Sequence, residues 1–328
     1  NRKAEIESNI REGINRLKKF QLTEGGMSYW PGNEDANEWG TNYAGHFMLE
    51  AQKKGYSLPS GFLSKWIKFQ KRAANAWSPK TNNLNRYYSY RSDQLIQAYR
   101  LYTLALAGKP ALGAMNRMKE VKNLSPTAKW RLAAAYEFAG KSNVAKYIIQ
   151  NISTEVEAYK ELSYSYGSNE RDQAMILETL VLMKEKSKAQ GVLKDISKGL
   201  SSESWYSTQT TAYSLMAIAK FIGVTGEPSD LSYDVYQNGK KLKSVSTKAS
   251  ISQTAISIKT TESGNIQVMN KTGQTLFVKV HLEGIPLEGD NTSSENNLKM
   301  DIRYLSMDER EISVDRLAQG TDFIAEVT

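Results

Sequence analysis

Apolar residues return at two different periods along this chain, and the change falls near Gly223-Val224-Thr225-Gly226-Glu227-Pro228-Ser229. Before that stretch they recur every three to four residues, the repeat of a buried helical stripe. In residues 207–222 (STQTTAYSLMAIAKFI), Ala212, Leu215, Met216 and Ala219 fall at i, i+3, i+4 and i+7. Residues 172–183 (DQAMILETLVLM) are apolar on more than one face, with Ala174, Leu177 and Val181 on one side and Ile176, Leu180 and Met183 on another. A helix apolar nearly all round is a buried helix. Five segments share a small or polar start followed by an Ala/Leu/Tyr-rich helix: 41–51, 93–108, 127–140, 172–183 and 207–222. Each gap between them holds one returning helix and two turns. Returning helices such as 60–73 (SGFLSKWIKFQKRA) carry more charge, so two concentric layers are predicted. Repeated helix hairpins make an open solenoid or a closed ring. The irregular spacing favours the ring, an α/α toroid of about eleven helices.

After residue 230 the apolar positions alternate. Tyr233-Asp234-Val235-Tyr236 leads into Asn238-Gly239, the strongest short hairpin signal. Residues 255–259 (AISIK), 264–269 (GNIQVM) and 274–282 (QTLFVKVHL) read as strands separated by turn residues. In the last of these, Leu276, Val278, Val280 and Leu282 share a face while Lys279 and His281 point away, which predicts a half-buried antiparallel strand. A Gly/Asn/Ser-rich stretch, 288–297, precedes a further run at 300–305. The predicted fold class is therefore α+β and multidomain: an N-terminal all-α (α/α) toroid, then an antiparallel β-sandwich region. The chain starts inside a helix pattern without Met, and residues 317–328 begin a strand that stops abruptly, so an excised fragment is expected.

Composition narrows the chemistry. At 328 residues the length fits roughly two domains. The 18 Tyr, 8 Phe and 6 Trp supply the bulk that disordered chains lack, and no apolar run is long enough to span a bilayer. Cysteine is absent, which removes disulfides, thiolate metal sites and cysteine nucleophiles. His46 and His281 are the only histidines, too few for a histidine-rich metal centre. The net charge of +8 is spread among alternating acids and bases, as on a solvated helix face. Its densest cluster, residues 238–243, has no aromatic residue to stack on a base, so no nucleic-acid partner is expected.

Carboxylates are the remaining candidates, because paired acids serve glycosidases. Glu34, Asp35 and Glu38 lie between Trp30 and Trp39, whose rings could stack on a sugar. The plainer reading is a solvated turn at Pro31-Gly32-Asn33. Asp93 and Asp172 each precede Gln and are expected to open a buried helix, where an acid contributes ~1 kcal/mol. His46, one turn from Asn42 and Glu50, is expected to be a hydrogen-bonded core residue. Gly25-Gly26 lacks the Lys or third Gly of a phosphate cradle. Asn151, Asn270 and Asn291 begin formal glycosylation sequons, a pattern short enough to arise by chance. From the residues alone, no catalytic, cofactor or metal site is assigned.

Two stretches are more specific than their chemistry. Residues 24–49 read EGGMSYWPGNEDANEWGTNYAGHFML, and 204–218 read SWYSTQTTAYSLMAI. With the helix repeats, they resemble the thioester domain of bacterial α2-macroglobulins and, more distantly, complement components. The matching positions are Gly25, Gly26, Ser28, Tyr29 and Trp30, then Trp39, Thr41, Tyr43 and Ala44. Later come Trp205, Thr208, Thr210 and Tyr213 at the start of the last inner helix. Residues 268–286 look like the CUB-like β region that follows, and 302–304 with 317–321 look like the start of the C-terminal macroglobulin β domain. The resemblance implies domains at 1–225 (thioester-type toroid), 226–296 (CUB-like) and 297–328 (macroglobulin-like).

The resemblance also implies a function. Reactive members carry a Cys-x-Glu-Gln thioester that acylates a protease once a bait region is cut. The family order puts that motif upstream of Asn1, so no residue here is assigned to it. No His lies in 88–95, where some complement relatives carry one that assists acyl transfer. The chain is therefore expected to be a non-catalytic part of a broad-spectrum protease inhibitor, periplasmic or attached to the cell envelope. Its partners would be proteases and other domains of the same polypeptide, with a membrane reached only through a lipid anchor elsewhere. The alternatives are a carbohydrate-active toroid enzyme using Glu34, Asp35 or Glu38, and a non-catalytic scaffold or adhesion domain.

Overall fold

The computed structural model describes residues 2–79, 87–161, 165–202, 205–225, 231–248, 252–257, 264–272, 276, 278–282, 295, 296 and 298–328. They fall into two compact units, 1–272 and 273–328. The first holds ten α-helices: α1 (Arg2–Lys18), α2 (Glu38–Lys53), α3 (Phe62–Ala76), α4 (Tyr87–Leu106), α5 (Leu112–Lys119), α6 (Pro126–Phe138), α7 (Ser142–Ile149), α8 (Asn169–Leu182), α9 (Lys186–Leu200) and α10 (Thr208–Thr225). Among the described residues no helix is long and apolar enough to cross a membrane.

Local sequence sets the helix ends. Asn37 caps α2 by accepting from the Gly40 amide at 2.6 Å, and Ser125 and Ser168 cap α6 and α8 in the same way. The repeated Ala-Gly-Lys at 107–109 and 139–141 ends α4 and α6. Gly108 and Gly140 both take φ +69, and the following lysine amides donate back to Leu104 and Tyr136, each at 2.9 Å. Only a residue without Cβ adopts that left-handed turn cheaply.

The helices divide by burial. In α4, residues 93–105 are buried without interruption, and α6 and α8 are buried on nearly every face. By contrast, α3 buries one stripe, Phe62, Trp66, Gln70 and Ala74, and α9 buries Ala189, Val192, Leu193 and Ile196. Each fully buried Leu contributes roughly 1.5–3 kcal/mol, so the all-round helices hold most of the apolar stabilisation. Helix α2 packs on α4, α4 on α6, α6 on α8 and α8 on α10. Side chains of α10 also reach α2: Tyr213 lies 5.6 Å from Tyr43 between ring centres, and Lys220 lies 2.5 Å from Glu50. A smaller cluster of Ile14, Met27, Met48 and Phe62 fastens α1 to α2 and α3.

Beyond α10, strands β1 (Leu231–Gln237), β2 (Lys240–Thr247) and β3 (Ile266–Asn270) form an antiparallel sheet in the order β2-β1-β3. The predicted hairpin is present: Asn238 and Gly239 take φ +50 and +77, the two left-handed positions of a type I′ turn. In the second unit, β4 (Ile302–Leu305) pairs antiparallel with β5 (Ile324–Val327) from Ile302↔Val327 to Leu305↔Ile324.

The strand predicted at 274–282 is a correction. Residues 276 and 278–282 lie in no strand, and Val278, Val280 and Leu282 are 54%, 65% and 76% exposed. Alternation only assigns faces; a strand also needs a ladder partner. The neighbouring β3 ends where the Asn270 side chain accepts from the Thr272 amide at 2.9 Å and turns the chain. Residues 255–257 likewise form no strand. Asp93 is a second correction: α4 begins at Tyr87, so Asp93 lies inside it and accepts from the Trp77 indole at 3.0 Å. Residues 204, 226–229, 258, 259, 274, 275, 277, 283–286 and 291–293, which several expectations named, lie outside the described residues.

Candidate functional site

The motif around Gly25 builds a clamp between the α1–α2 turn and the helices behind it. Gly25 takes φ +102, and a side chain there would run into the Lys65 carbonyl. At Gly26 a side chain would strike Ala36 and the Phe69 ring. The Met27 amide donates to the Thr41 hydroxyl at 2.9 Å, and that hydroxyl donates to the Asn37 carbonyl at 2.7 Å. Trp66 donates its indole N–H to the Thr41 carbonyl at 2.8 Å, with its ring against Gly45. Gly25, Gly26 and Thr41 are thus placed by close backbone approach.

The other motif residues divide. Trp39 is buried, one face covered by the Arg171 guanidinium at 4.2 Å. Tyr43 and Tyr213 pack ring on ring. Thr210 joins the Ser168 hydroxyl at 3.1 Å, so the start of α10 is tied to the cap of α8. Trp30 and Trp205 are 64% and 71% exposed, and Thr208 is exposed at the start of α10.

The carboxylates of the alternative carbohydrate reading are not drawn together. Glu34 and Asp35 are exposed in the turn, and Glu38 pairs with Arg100 at 3.0 Å. Trp30 points out and Trp39 points in, so they do not form a stacking pair. Asp172 lies in the first turn of α8, as expected, and there pairs with Arg171 at 2.8 Å. A cleft of about 70 Å³ opens beside it, lined by Leu95, Ser125, Glu155, Tyr159, Arg171 and Asp172. Arg171 is saturated by Asp172, Tyr159, Ser165 and Gln209. Burial, then Asp172, pushes the Tyr159 phenol above its ordinary range. His281 is exposed.

The densest chemistry is a buried group that the sequence reading touched only at His46. Five helices supply it: His46 and Glu50 from α2, Tyr99 and Tyr102 from α4, Arg131 from α6, Glu178 from α8, and Tyr213 and Lys220 from α10. Glu178 accepts from Arg131 at 2.5 Å, Lys220 at 2.6 Å and Tyr102 at 2.9 Å. Lys220 also reaches Glu50 at 2.5 Å, bridging the two acids. Arg131 lies over the Tyr102 ring at 3.8 Å. Two carboxylates face two cations, so the cluster closes neutral, as burial demands.

His46 completes it. The Tyr99 hydroxyl lies 2.9 Å from His46 Nδ1 and meets the Tyr213 hydroxyl. The other ring nitrogen, Nε2, faces Glu50 at 3.7 Å and Glu178 at 3.8 Å. Both gaps are too long for a hydrogen bond, and Nε2 has no hydrogen-bond partner among the described residues. Burial pulls the His46 pKa down. The facing His46, against the opposing effect of burial and with help from Lys220, holds Glu50 at about 2. Burial pushes Glu178 up, yet Arg131 and Lys220 together keep it well below the carboxylate range. His46, Glu50 and Glu178 present one ligand atom each within 4.8 Å of one another.

A scan against family models finds no match. The chain is 24% identical over 319 residues to Alpha-2-macroglobulin of Escherichia coli K12, covering 94% of this chain and 18% of that protein. The chain therefore spans less than a fifth of that relative's length. Native E. coli α2-macroglobulin solved from domain MG7 to the C-terminus matches at TM-score 0.61 and 20% identity, over 95% of this chain and 48% of that one. E. coli α2-macroglobulin activated by porcine elastase matches at TM-score 0.55 and 20% identity, over 96% of this chain and 28% of that one.

Proposed function

We propose that this chain, a relative of the bacterial α2-macroglobulins over nearly its whole length, is a non-catalytic part of an envelope protein that traps proteases. The observation that carries the reading is the ordered likeness over 94% of the chain. In this reading α2, α4, α6, α8 and α10 are the inner ring of a thioester-type α/α toroid. The contacts from α10 back to α2 support its closure. Residues 1–225 make up that toroid, 226–296 a CUB-like region and 297–328 the start of a macroglobulin domain. The Cys-x-Glu-Gln thioester of reactive relatives would lie ahead of the Gly25-Gly26 turn, outside these residues. Gly25, Gly26, Trp39, Thr41, Tyr43, Thr210 and Tyr213 shape the toroid, and exposed Trp30 and Trp205 are available to neighbouring domains.

Proteases are the proposed partners because an E. coli relative is activated by porcine elastase. Neither a cofactor nor a metal is required for entrapment. To test the reading, the intact parent protein is incubated with elastase, and residual activity is assayed on a protein and on a small chromogenic peptide. Entrapment spares cleavage of the peptide and suppresses cleavage of the protein. Unhindered cleavage of the large substrate rejects the reading. Methylamine treatment with thiol titration then separates covalent from purely steric capture.

A further inference from the structure

The His46, Glu50 and Glu178 donors are one imidazole nitrogen and two carboxylates, a set that suits divalent ions such as Zn²⁺, Co²⁺ or Mn²⁺. Their atoms lie within 4.8 Å of one another, close enough to converge on one ion. Nε2 of His46 is buried to 3% exposure, faces both acids and has no hydrogen-bond partner among the described residues. A buried polar atom left in that state needs an explanation. The same two carboxylate oxygens that face Nε2 hold the Lys220 ammonium, at 2.5 and 2.6 Å. An internal cation therefore stands where a metal would be held.

We propose that His46, Glu50 and Glu178 form a divalent-metal site that Lys220 closes, so that ammonium and metal compete for the same two oxygens. Lys220 is 26% exposed, so its flexible stem can carry the charge out to water when a metal enters. The imidazole is prepared for the exchange. Ligation by Nε2 requires the proton on Nδ1, and Nδ1 faces the Tyr99 hydroxyl, which in turn meets Tyr213. In the Nδ1–H tautomer, reached by proton exchange with water, Nδ1 donates to the Tyr99 hydroxyl, Tyr99 donates to Tyr213, and the imidazole stays neutral. Metal-bound histidines are held in this way by a partner on the other ring nitrogen. Arg131 keeps its pairing with the second oxygen of Glu178 throughout, so the metal-bound group carries one positive charge in excess. The proposal is independent of protease entrapment, and its test does not involve a protease.

The whole chain is titrated with Co²⁺, whose visible bands in a four-coordinate site report binding and geometry together. Wild type, Lys220→Ala and Lys220→Ala/His46→Gln are followed by absorbance and by thermal unfolding. Lys220→Ala is expected to bind one Co²⁺ per chain at least about tenfold more tightly than wild type, with an unfolding midpoint that rises with Co²⁺. Adding His46→Gln is expected to weaken that binding by about tenfold or more. Equal affinity in wild type and Lys220→Ala, or affinity that survives His46→Gln, overturns the proposal. If Lys220→Ala folds only with Co²⁺, the competition has been read through stability, in support. If it does not fold at all, wild type and His46→Gln alone decide: millimolar Co²⁺ binds the first and not the second, and absence of that difference overturns it.

Discussion

Glu178 and Asp234 are both carboxylates sunk almost out of solvent, and each holds two cations, yet they sit in opposite situations. Glu178, in α8, pairs with Arg131 at 0% exposure and with Lys220 at 26%. Asp234, in β1, pairs with Lys241 and Lys271, which are 46% and 45% exposed, and accepts from the Ser244 hydroxyl at 2.6 Å. Lys271, Ser244 and Lys241 hold the Asp234 carboxyl below its ordinary range, much as Arg131 and Lys220 do for Glu178. The difference lies in the partners. Lysines on the sheet surface can return to water if the acid is lost, whereas Arg131 cannot. How deep an ion pair counts is therefore set by its least solvated member.

The sharpest way to break this comparison is to remove both acids in turn. Glu178→Ala strands a buried guanidinium, which costs about 3–5 kcal/mol. For a domain of this size that lowers the unfolding midpoint by roughly 6–20 °C, measured by calorimetry on the whole chain. A loss below about 1 kcal/mol would show that Arg131 finds water after all. Sterics give the next contrast. Gly45→Ala drives a methyl into the buried Trp66 ring and is expected to cost about 1–3 kcal/mol. Gly239→Ala in the hairpin meets open space and bears only the left-handed backbone penalty, about 1 kcal/mol.

Alkaline titration sharpens the picture further. Burial, with Glu120 nearby, pushes the Tyr136 phenol up to about 12, and burial pushes Tyr99 and Tyr102 well above their ordinary range. A phenol whose folded pKa exceeds its unfolded value of about 10 adds stability below pH 10 and loses it as the pH rises toward the folded value. Phenolate absorbance from these tyrosines should therefore appear only together with loss of helix. Phenolate rising while the circular dichroism stays constant would contradict their burial. The smallest effect is expected for Asp234→Asn: a slight fall in the midpoint that disappears in high salt, with the helices unaffected.

Much of this was legible in the sequence. Three-to-four spacing located the most buried helices, and Asn238-Gly239 located the hairpin. Alternation at 274–282 misled, because periodicity does not reveal whether a partner strand exists. Asp93 misled because Tyr87–Arg91 reads as polar, although it begins the helix. The buried cluster was missed although its trace was visible. Arg131, Glu178 and Lys220 are each a charge set within an otherwise apolar helical stretch: WRLAAAY, ILETLVL and AIAKFI. A lone charge in such a setting needs a buried counter-charge, and three of them on separate helices point to one another. What spacing could not supply was the three-dimensional order that brings residues 46, 131, 178 and 220 together.

That order has a consequence for how the chain is made. A ribosome delivers Glu50, Arg131 and Glu178 well before Lys220 and Tyr213, which arrive only on the last helix of the set. Until then the two acids outnumber the single buried base, and the histidine's hydroxyl partner lacks its own. Without α10, Glu50 and Glu178 would face Arg131 alone, so the neutral arrangement of the group depends on the last of its five helices.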